Sequence, residues 1–368
     1  MDELVLSLRS APRRTCRIHV GVRVLDRLVE DLAADPPGRP LVVISDETVA
    51  RLHGRTFVAR LTGRVAAELL TFPPGEAHKT RETKAALEDA LLAREVGRDA
   101  AIVAFGGGVT GDVAGFVAAT WQRGVPVVQV PTSLVAMVDA ALGGKTAVNL
   151  LAGKNLVGAF HQPHAIWADV GLLDTLPDGE LRQGLAEVVK SACIGDPRLF
   201  RWLERAVDAL LGRDRAALCR VVGDCLRIKA RTVARDERER GRRAVLNFGH
   251  TVGHAIEVAT GYAIGHGDAV AIGMCVEAEL ATEATGFARA DARRLTRLLE
   301  RFGLPTRPPA DLPPEALARA TRRDKKARAG RVYYALPRSI GRMIAGPRVT
   351  VEVGHEALVA ALGRIGSN

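Results

Sequence analysis

The first half of the chain alternates between two hydrophobic periods. "PLVVISDET", "DAAIVAFGGG", "VPVVQVPTS" and "AIWADVGLL" are short, nearly continuous apolar runs, each closing on turn residues. Such runs predict strands buried on both faces. Longer stretches such as "ETKAALEDALLAREVG" place apolar residues three and four apart before a glycine, which predicts an amphipathic helix. Strands alternating with helices imply a parallel sheet with crossover connections.

After Pro177 the pattern is helical almost throughout. "DGELRQGLAEVVKSACIG", "PRLFRWLERAVDALL", "DRAALCRVVGDCLRIKARTVARDE", "GHTVGHAIEVATG", "DAVAIGMCVEAELATEATG" and "ADARRLTRLLERFG" are long and amphipathic. The expected organisation is an α/β domain over residues 1–178 and an all-α domain over 179–368. "LPTRPPADLPPEA" reads as a surface loop, and "RVYYALPRSIGRM" with "RVTVEV" as a small two-stranded addition.

Composition narrows the function classes. A chain of 368 residues can fill two domains, and 47% hydrophobic with 26% charged residues suits a soluble globular protein. The net charge of +10 points to anionic partners, polyanions or small phosphorylated or carboxylated molecules. Aromatic residues are only 4% and no nucleic-acid-binding module is visible, which disfavours nucleic acid. Five scattered cysteines without C-x-x-C spacing suit reduced thiols in the cytoplasm. "MDELVLSLRSAPRR" has no apolar signal core, and no run approaches the roughly 18 residues of a membrane span.

Candidate chemistry begins at "AFGGGVTGDVAGF", where glycines follow an apolar strand. Glycine lets phosphate groups approach the N–H groups of the next helix, although the spacing is not G-x-G-x-x-G. Asp112 would be costly beside a phosphate unless it met sugar or nicotinamide. Glu76 and Lys79, Thr132 and Ser133, then Asp139, Lys145, Lys154 and Asn155 also follow expected strands. Ligands of open α/β sheets bind at that edge. Together these groups suit a dinucleotide with room for a second anion.

In the helical half, Glu187 and Lys190 share a helix face among small apolar neighbours. His250 and His254 stand four apart in "LNFGHTVGHAIEVATG", and His266 follows in "HGDAV". One carboxylate with two histidines makes a catalytic divalent-metal site with an open position; three histidines leave the choice of two open. Lys229, Arg243 and Asn247 precede the histidine helix closely enough to share its pocket, and Lys325 and Lys326 lie in "RRDKKARAG". The charge run from Arg235 to Arg242 reads as a solvated face.

"GGGVTGDVAGFVAATWQRG", "VDAALGGKTAVN", "GKNLVGAFHQP", "GLAEVVK", "DERERGRRAVLNFGHTVGHAIE", "HGDAVAIGM" and "RRDKKARAG" resemble, in order and spacing, the 3-dehydroquinate synthase family of sugar phosphate cyclases. The resemblance runs from about residue 40 to 345. It implies a Rossmann-like NAD domain, a helical metal domain, a cleft between them and a homodimer. It also implies the shikimate-pathway substrate 3-deoxy-D-arabino-heptulosonate 7-phosphate, a phosphorylated sugar acid.

By the same resemblance, Glu187, His250 and His266 would bind zinc or cobalt, while His254 would face substrate. Asp139, Lys145, Asn155, Lys190, Lys229, Arg243, Asn247 and one of Lys325 or Lys326 would hold substrate, with Arg123 reaching its phosphate across the dimer. NAD would meet Asp46, Glu76, Lys79 and the turn Gly107, Gly108, Val109, Thr110, Gly111 and Asp112. It would also meet Thr132, Ser133, Asp139, Lys145, Lys154, Leu172 and Thr175.

Five positions depart from the common family pattern: Ala140, Ala141, His161, Ser191 and Asp268. They bring in relatives acting on other sugar phosphates. Asn247 argues against deoxy-inosose synthases and the Lys325–Lys326 pair against valiolone synthases, whereas amino-dehydroquinate synthases remain compatible. A metal-dependent polyol dehydrogenase would share the glycine turn and the histidines but would not need the converging cations.

Overall fold

A computed structural model of the chain describes residues 15–34, 39–321, 331–344 and 349–367. Lys325 and Lys326 lie outside the described residues. The N-terminal half contains the strands β1 (Arg17–Gly21), β2 (Leu41–Asp46), β3 (Ala67–Phe72), β4 (Ala101–Gly106), β5 (Val127–Pro131), β6 (Lys145–Leu150), β7 (Gly153–Phe160) and β8 (Ala165–Asp169). Six of these form one parallel sheet in the order β1-β8-β5-β4-β2-β3. Its crossovers carry α1 (Val24–Ala34), the short α2 (Glu47–Val49), α3 (Arg55–Leu61), α4 (Arg81–Ala93) and α5 (Gly108–Thr120).

The four strands read from the sequence are β2, β4, β5 and β8; β1 and β3 are additional. Both additional strands lie on sheet edges and are only partly covered. An edge strand therefore lacks the continuous apolar run that marks β4, whose six residues are all buried. β2 is flanked by β3 on one side and β4 on the other, so chain direction across the sheet reverses there. The crevice at the carboxyl ends of β2 and β4 is thus the topological switch point. The segment carrying Lys145, Lys154 and Asn155, for which the sequence predicts no element, is an antiparallel hairpin, β6 with β7, packed over α5.

The second half is built from α6 (Asp178–Gly195), α7 (Pro197–Leu211), α8 (Arg215–Arg235), α9 (His250–Ala259), α10 (His266–Ala284), α11 (Arg289–Arg301), α12 (Pro314–Thr321) and α13 (His355–Ser367). Asp196 and Asp214 cap α7 and α8 with side-chain oxygens, and Pro197 opens α7. The expected two-stranded addition is two separate antiparallel pairs. The strands β9 (Tyr333–Tyr334), β10 (Pro337–Ser339), β11 (Arg342–Met343) and β12 (Val351–Glu352) pair as β9 with β12 and β10 with β11.

One apolar cluster joins Val43 and Phe105 of the sheet through Leu134 and Met137 to Leu185 and Val189 of α6. A second, containing Ile44, Leu87, Leu91, Val113 and Val117, covers the opposite sheet face. At Gly184 a Cβ would stand 2.5 Å from the Leu134 Cβ, so glycine permits α6 to lie directly against the sheet's carboxyl edge. That contact fixes the helix carrying Glu187 and Lys190 beside the loops after β4 and β5.

Candidate active site

Three helices bring one carboxylate and two imidazoles together. Glu187 on α6, His250 on α9 and His266 on α10 each offer a ligand atom, and these atoms all lie within 4.8 Å of one another. The Nε2 atoms of both histidines stand 3.4 Å from Glu187 Oε1. Each ring turns its Nδ1 to another oxygen: His250 to the Phe248 carbonyl at 3.2 Å, His266 to Glu257 Oε2 at 3.6 Å. Neither oxygen of the fully buried Glu187 has a well-formed hydrogen bond among the described residues. They meet the Lys190 ammonium and the two imidazoles as charge contacts. A buried carboxylate short of donors, faced by two ring nitrogens, fits a divalent cation. His254 is outside this trio, although its ring centroid is 5.5 Å from that of His250.

Protonation reflects the same crowding. Burial opposes charge on His266, but Glu187 and Glu257 outweigh it and raise its pKa to about 10. Burial and the neighbouring cations hold His250 well below its ordinary value despite Glu187. Burial would raise Glu187, yet Lys190 and the two histidines pull it well below the usual carboxylate range. A cation in this site would compete with a proton on His266.

The histidine helix is itself anchored. Gly249, left-handed at φ 81°, turns the chain into α9 just before His250. The fully buried Glu277 of α10 accepts from the backbone N–H groups of Gly249 at 2.7 Å, Thr251 at 3.1 Å and Val252 at 3.2 Å. These are amides that a helix start leaves without partners. A Cβ on Gly273 would overlap the Gly249 carbonyl oxygen, so only glycine allows α9 and α10 to cross this closely.

Next to the trio is a pocket of buried cations. Lys190 and Lys229 face the Asp139 carboxylate at 3.8 and 2.7 Å, and Lys229 also donates to the Asp139 carbonyl at 2.6 Å. Burial opposes the charge on Lys190, but Asp139 and Glu187 prevail and raise its pKa. Burial, with Lys190 and Arg243 alongside, lowers Lys229 despite Asp139. Burial would raise Asp139, and the two lysines hold it below its ordinary value instead. The buried Arg243 donates to the carbonyls of Gly143 at 3.0 Å and Glu237 at 2.6 Å. Its buried Nε has no hydrogen-bond partner among the described residues.

The run from Arg235 to Arg242 is only half a solvated face. Its arginines are exposed, but Asp236 turns inward to accept from the N–H groups of Arg240, Gly241 and Arg243. Glu239 pairs with Lys145 and accepts from Asn247 Nδ2 at 2.9 Å. Two expected substrate groups therefore meet through a carboxylate that the sequence reading assigned to solvent. Arg123 is exposed, on a turn after α5 with φ 66°.

On the sheet side, Gly106 and Gly107 lead into α5, and Asp46 at the end of β2 accepts from the Thr110 hydroxyl at 3.2 Å. A Cβ on Gly107 or Gly108 would have nothing nearer than Ser133 Oγ at 3.6 Å or Ala140 Cβ at 3.5 Å. Neither glycine puts a side chain at the start of α5, where Val109 and Thr110 follow, and the first N–H groups of a helix suit a dinucleotide's phosphates. Gly111 already belongs to the helix, its N–H bonded to the Gly107 carbonyl. A neighbouring cavity of about 110 Å³ is lined by Val49, Leu52, His53, Thr132, Leu172 and Thr175 among others. His53 bonds the Thr175 hydroxyl at 2.7 Å.

Asp112 is balanced by Lys79, which also donates to Asn155 at 2.6 Å. Burial, only partly offset by Lys79, holds the Asp112 carboxyl above its ordinary value. Glu76 accepts from Asn149 at 2.8 Å. Lys154 reaches Glu257 at 3.0 Å and lies over the Tyr262 ring at 4.0 Å. Glu257, Glu277 and Glu239 escaped the sequence reading. Glu257 carried one signal, lying three positions after His254 on the same helix.

Among the departures, His161 bonds the Val125 carbonyl at 2.8 Å, and Asp268 accepts from Gln183 Nε2 at 2.7 Å. Ser191 is buried beside Lys190, and Ala140 borders Gly108. Ala141 is buried in the main core cluster.

Known proteins resemble this chain over most of its length. The family models for the 3-dehydroquinate synthase N-terminal and C-terminal regions match residues 69–183 and 184–327. The chain is 49% identical over 311 residues to the 3-dehydroquinate synthase of Methylococcus capsulatus, covering 84% of this chain and 86% of that one. A 2-epi-5-epi-valiolone synthase from Streptomyces hygroscopicus subsp. jinggangensis, solved with NAD+ and Zn2+, superposes with a TM-score of 0.86 at 30% identity, covering 98% and 99% of the two chains. A 2-deoxy-scyllo-inosose synthase complexed with carbaglucose-6-phosphate, NAD+ and Co2+ does so with 0.86 at 26% identity, covering 94% and 96%. By matched length and by identity, the chain belongs to the 3-dehydroquinate synthase family.

Proposed function

We propose that this protein is a 3-dehydroquinate synthase, a phosphate-eliminating carbon–oxygen lyase that depends on NAD and a divalent metal. It converts 3-deoxy-D-arabino-heptulosonate 7-phosphate to 3-dehydroquinate and phosphate. The observation that carries the reading is Lys190, which contacts Glu187 of the metal trio and Asp139 of the cation pocket with one ammonium. A cation-lined pocket sharing a wall with a metal site suits a substrate that bears charge close to the reacting carbon. The higher identity to a 3-dehydroquinate synthase than to the other cyclases supports that substrate over theirs.

When bound, NAD+ supplies a hydride acceptor restored within each turnover, and zinc or cobalt supplies Lewis acidity. Glu187, His250 and His266 hold the metal. Asp46, Gly107 to Asp112, Glu76, Lys79, Lys154, Leu172 and Thr175 hold the dinucleotide, with Thr132 and Ser133 at the end of β5. Asp139 and Lys145 border both ligands.

Lys190, Lys229, Arg243, Asn155 and Asn247 orient the substrate and neutralise its anionic groups as phosphate leaves. His254, one turn along α9 from His250, is placed to exchange a proton with the substrate phosphate. Substrate anions displace the Glu239 carboxylate from Lys145 and Asn247. The active form is a homodimer in which Arg123 extends to a neighbouring substrate phosphate.

Purified protein given the heptulosonate phosphate, NAD+ and Zn2+ or Co2+ should release phosphate and form dehydroquinate with no net NADH. No phosphate release rejects the reading. NADH accumulating with simple polyols would support a dehydrogenase instead.

A further inference from the structure

The two metal-facing histidines are backed differently, and the difference concerns Glu257. His250 is held from behind by a main-chain carbonyl two residues away. His266 begins α10 and is backed by a side chain from another helix: its Nδ1 is 3.6 Å from Glu257 Oε2, just beyond hydrogen-bond range. Glu257 is 4% exposed, and its other oxygen takes the Lys154 ammonium at 3.0 Å. Lys154 comes from β7, so this carboxylate links a metal-facing imidazole to the hairpin that also carries Lys145. The Tyr262 ring covers the ammonium at 4.0 Å.

We propose that Glu257 is a positioning residue for the metal centre. It takes the Nδ1 proton of His266 in a hydrogen bond, fixes the ring with Nε2 toward Glu187, and is itself held in place by Lys154. The inference rests on the reading of Glu187, His250 and His266 as metal ligands. A neutral imidazole carries one proton on two nitrogens, and a metal takes the bare one. A carboxylate behind Nδ1 selects the ligating tautomer and makes Nε2 a stronger donor. Without it the ring at the start of α10, the most exposed of the trio, could present either nitrogen.

The test measures metal binding and not turnover. Glu257→Gln keeps shape and volume, and should weaken Zn2+ and Co2+ binding by about 10- to 100-fold in chelator competition. It should also shift the visible spectrum of bound Co2+. Nitrogen-15 spectra of the zinc-loaded parent need no variant, and should give His266 a proton on Nδ1 and the metal on Nε2. Zinc on Nδ1 overturns the proposal even if Glu257→Gln fails to fold. So does a folded Glu257→Gln with parental affinity and spectrum while His266→Ala loses metal. If His266→Ala binds as tightly as the parent, the ligand reading itself falls.

Discussion

Lys190 and Glu187 form an ion pair in which neither charge reaches solvent, the two side chains being 1% and 0% exposed. Lys190→Met would leave the carboxylate buried without its main cation. Breaking a buried pair from one side costs about 3–5 kcal/mol. Chemical denaturation of the metal-free variant should register a loss of that order, and added zinc should recover more stability than it gives the parent. A loss under about 1 kcal/mol would mean that the carboxylate is solvated or protonated in the folded chain.

His250 and His254 share a helix, and the proposed roles separate them. His250 faces Glu187 at 3.4 Å, and His254 stands outside the ligand trio. His250→Ala should therefore lose stoichiometric metal. His254→Ala should keep it while kcat falls by about 10²- to 10⁴-fold, the range for a lost proton-transfer group. Metal analysis alongside turnover separates the two, and equal metal loss contradicts the assignment.

Acid should uncover the Asp139 contribution. Lys190 and Lys229 hold this carboxyl below its ordinary value of 3.8 in the folded chain, against the opposing effect of burial. Between the folded and unfolded values the unfolded chain binds more protons, so stability rises with pH in that interval. The contribution is complete above about pH 3.8 and disappears as pH falls through the folded value. The gap in unfolding free energy between the parent and Asp139→Asn should be widest near neutrality and shrink on acidification. A gap unchanged from neutrality down to strong acid would falsify the ion-pair account.

Glu277→Ala should damage metal binding from a distance. It removes the acceptor shared by the N–H groups of Gly249, Thr251 and Val252, all of them buried. Buried donors left unmet cost about 1–3 kcal/mol each, so a total loss of about 3 kcal/mol or more is expected. Zinc affinity should fall with it, because the start of α9 sets where His250 points. Melting curves and chelator competition on the same sample provide the check, and a stable variant with weakened metal binding would isolate the positioning effect.

The central strands and the long helices were legible because their signal is local. β2, β4, β5 and β8 are buried on both faces or nearly so, and a continuous apolar run records that directly. The edge strands β1 and β3 owe their pairing to a neighbour rather than to their own pattern, and they were missed. The hairpin of β6 and β7 was not predicted, because its glycines and polar residues dominate its alternation.

The sequence alone determined the chemical inventory: a glycine turn after a strand, one carboxylate and three histidines, two of them at helical spacing, and an excess of cations with specific asparagines. Ordered motifs of that kind also determined the family. Only the tertiary structure decided which histidines converge, because His250 and His266 lie on different helices, α9 and α10, whose close crossing is set at Gly249 and Gly273. It also decided that Glu239, Glu257 and Glu277 lie against the candidate site residues. Helical periodicity says which residues share a face. What that face meets depends on contacts such as Lys154 with Glu257, 103 positions apart, which no local pattern encodes.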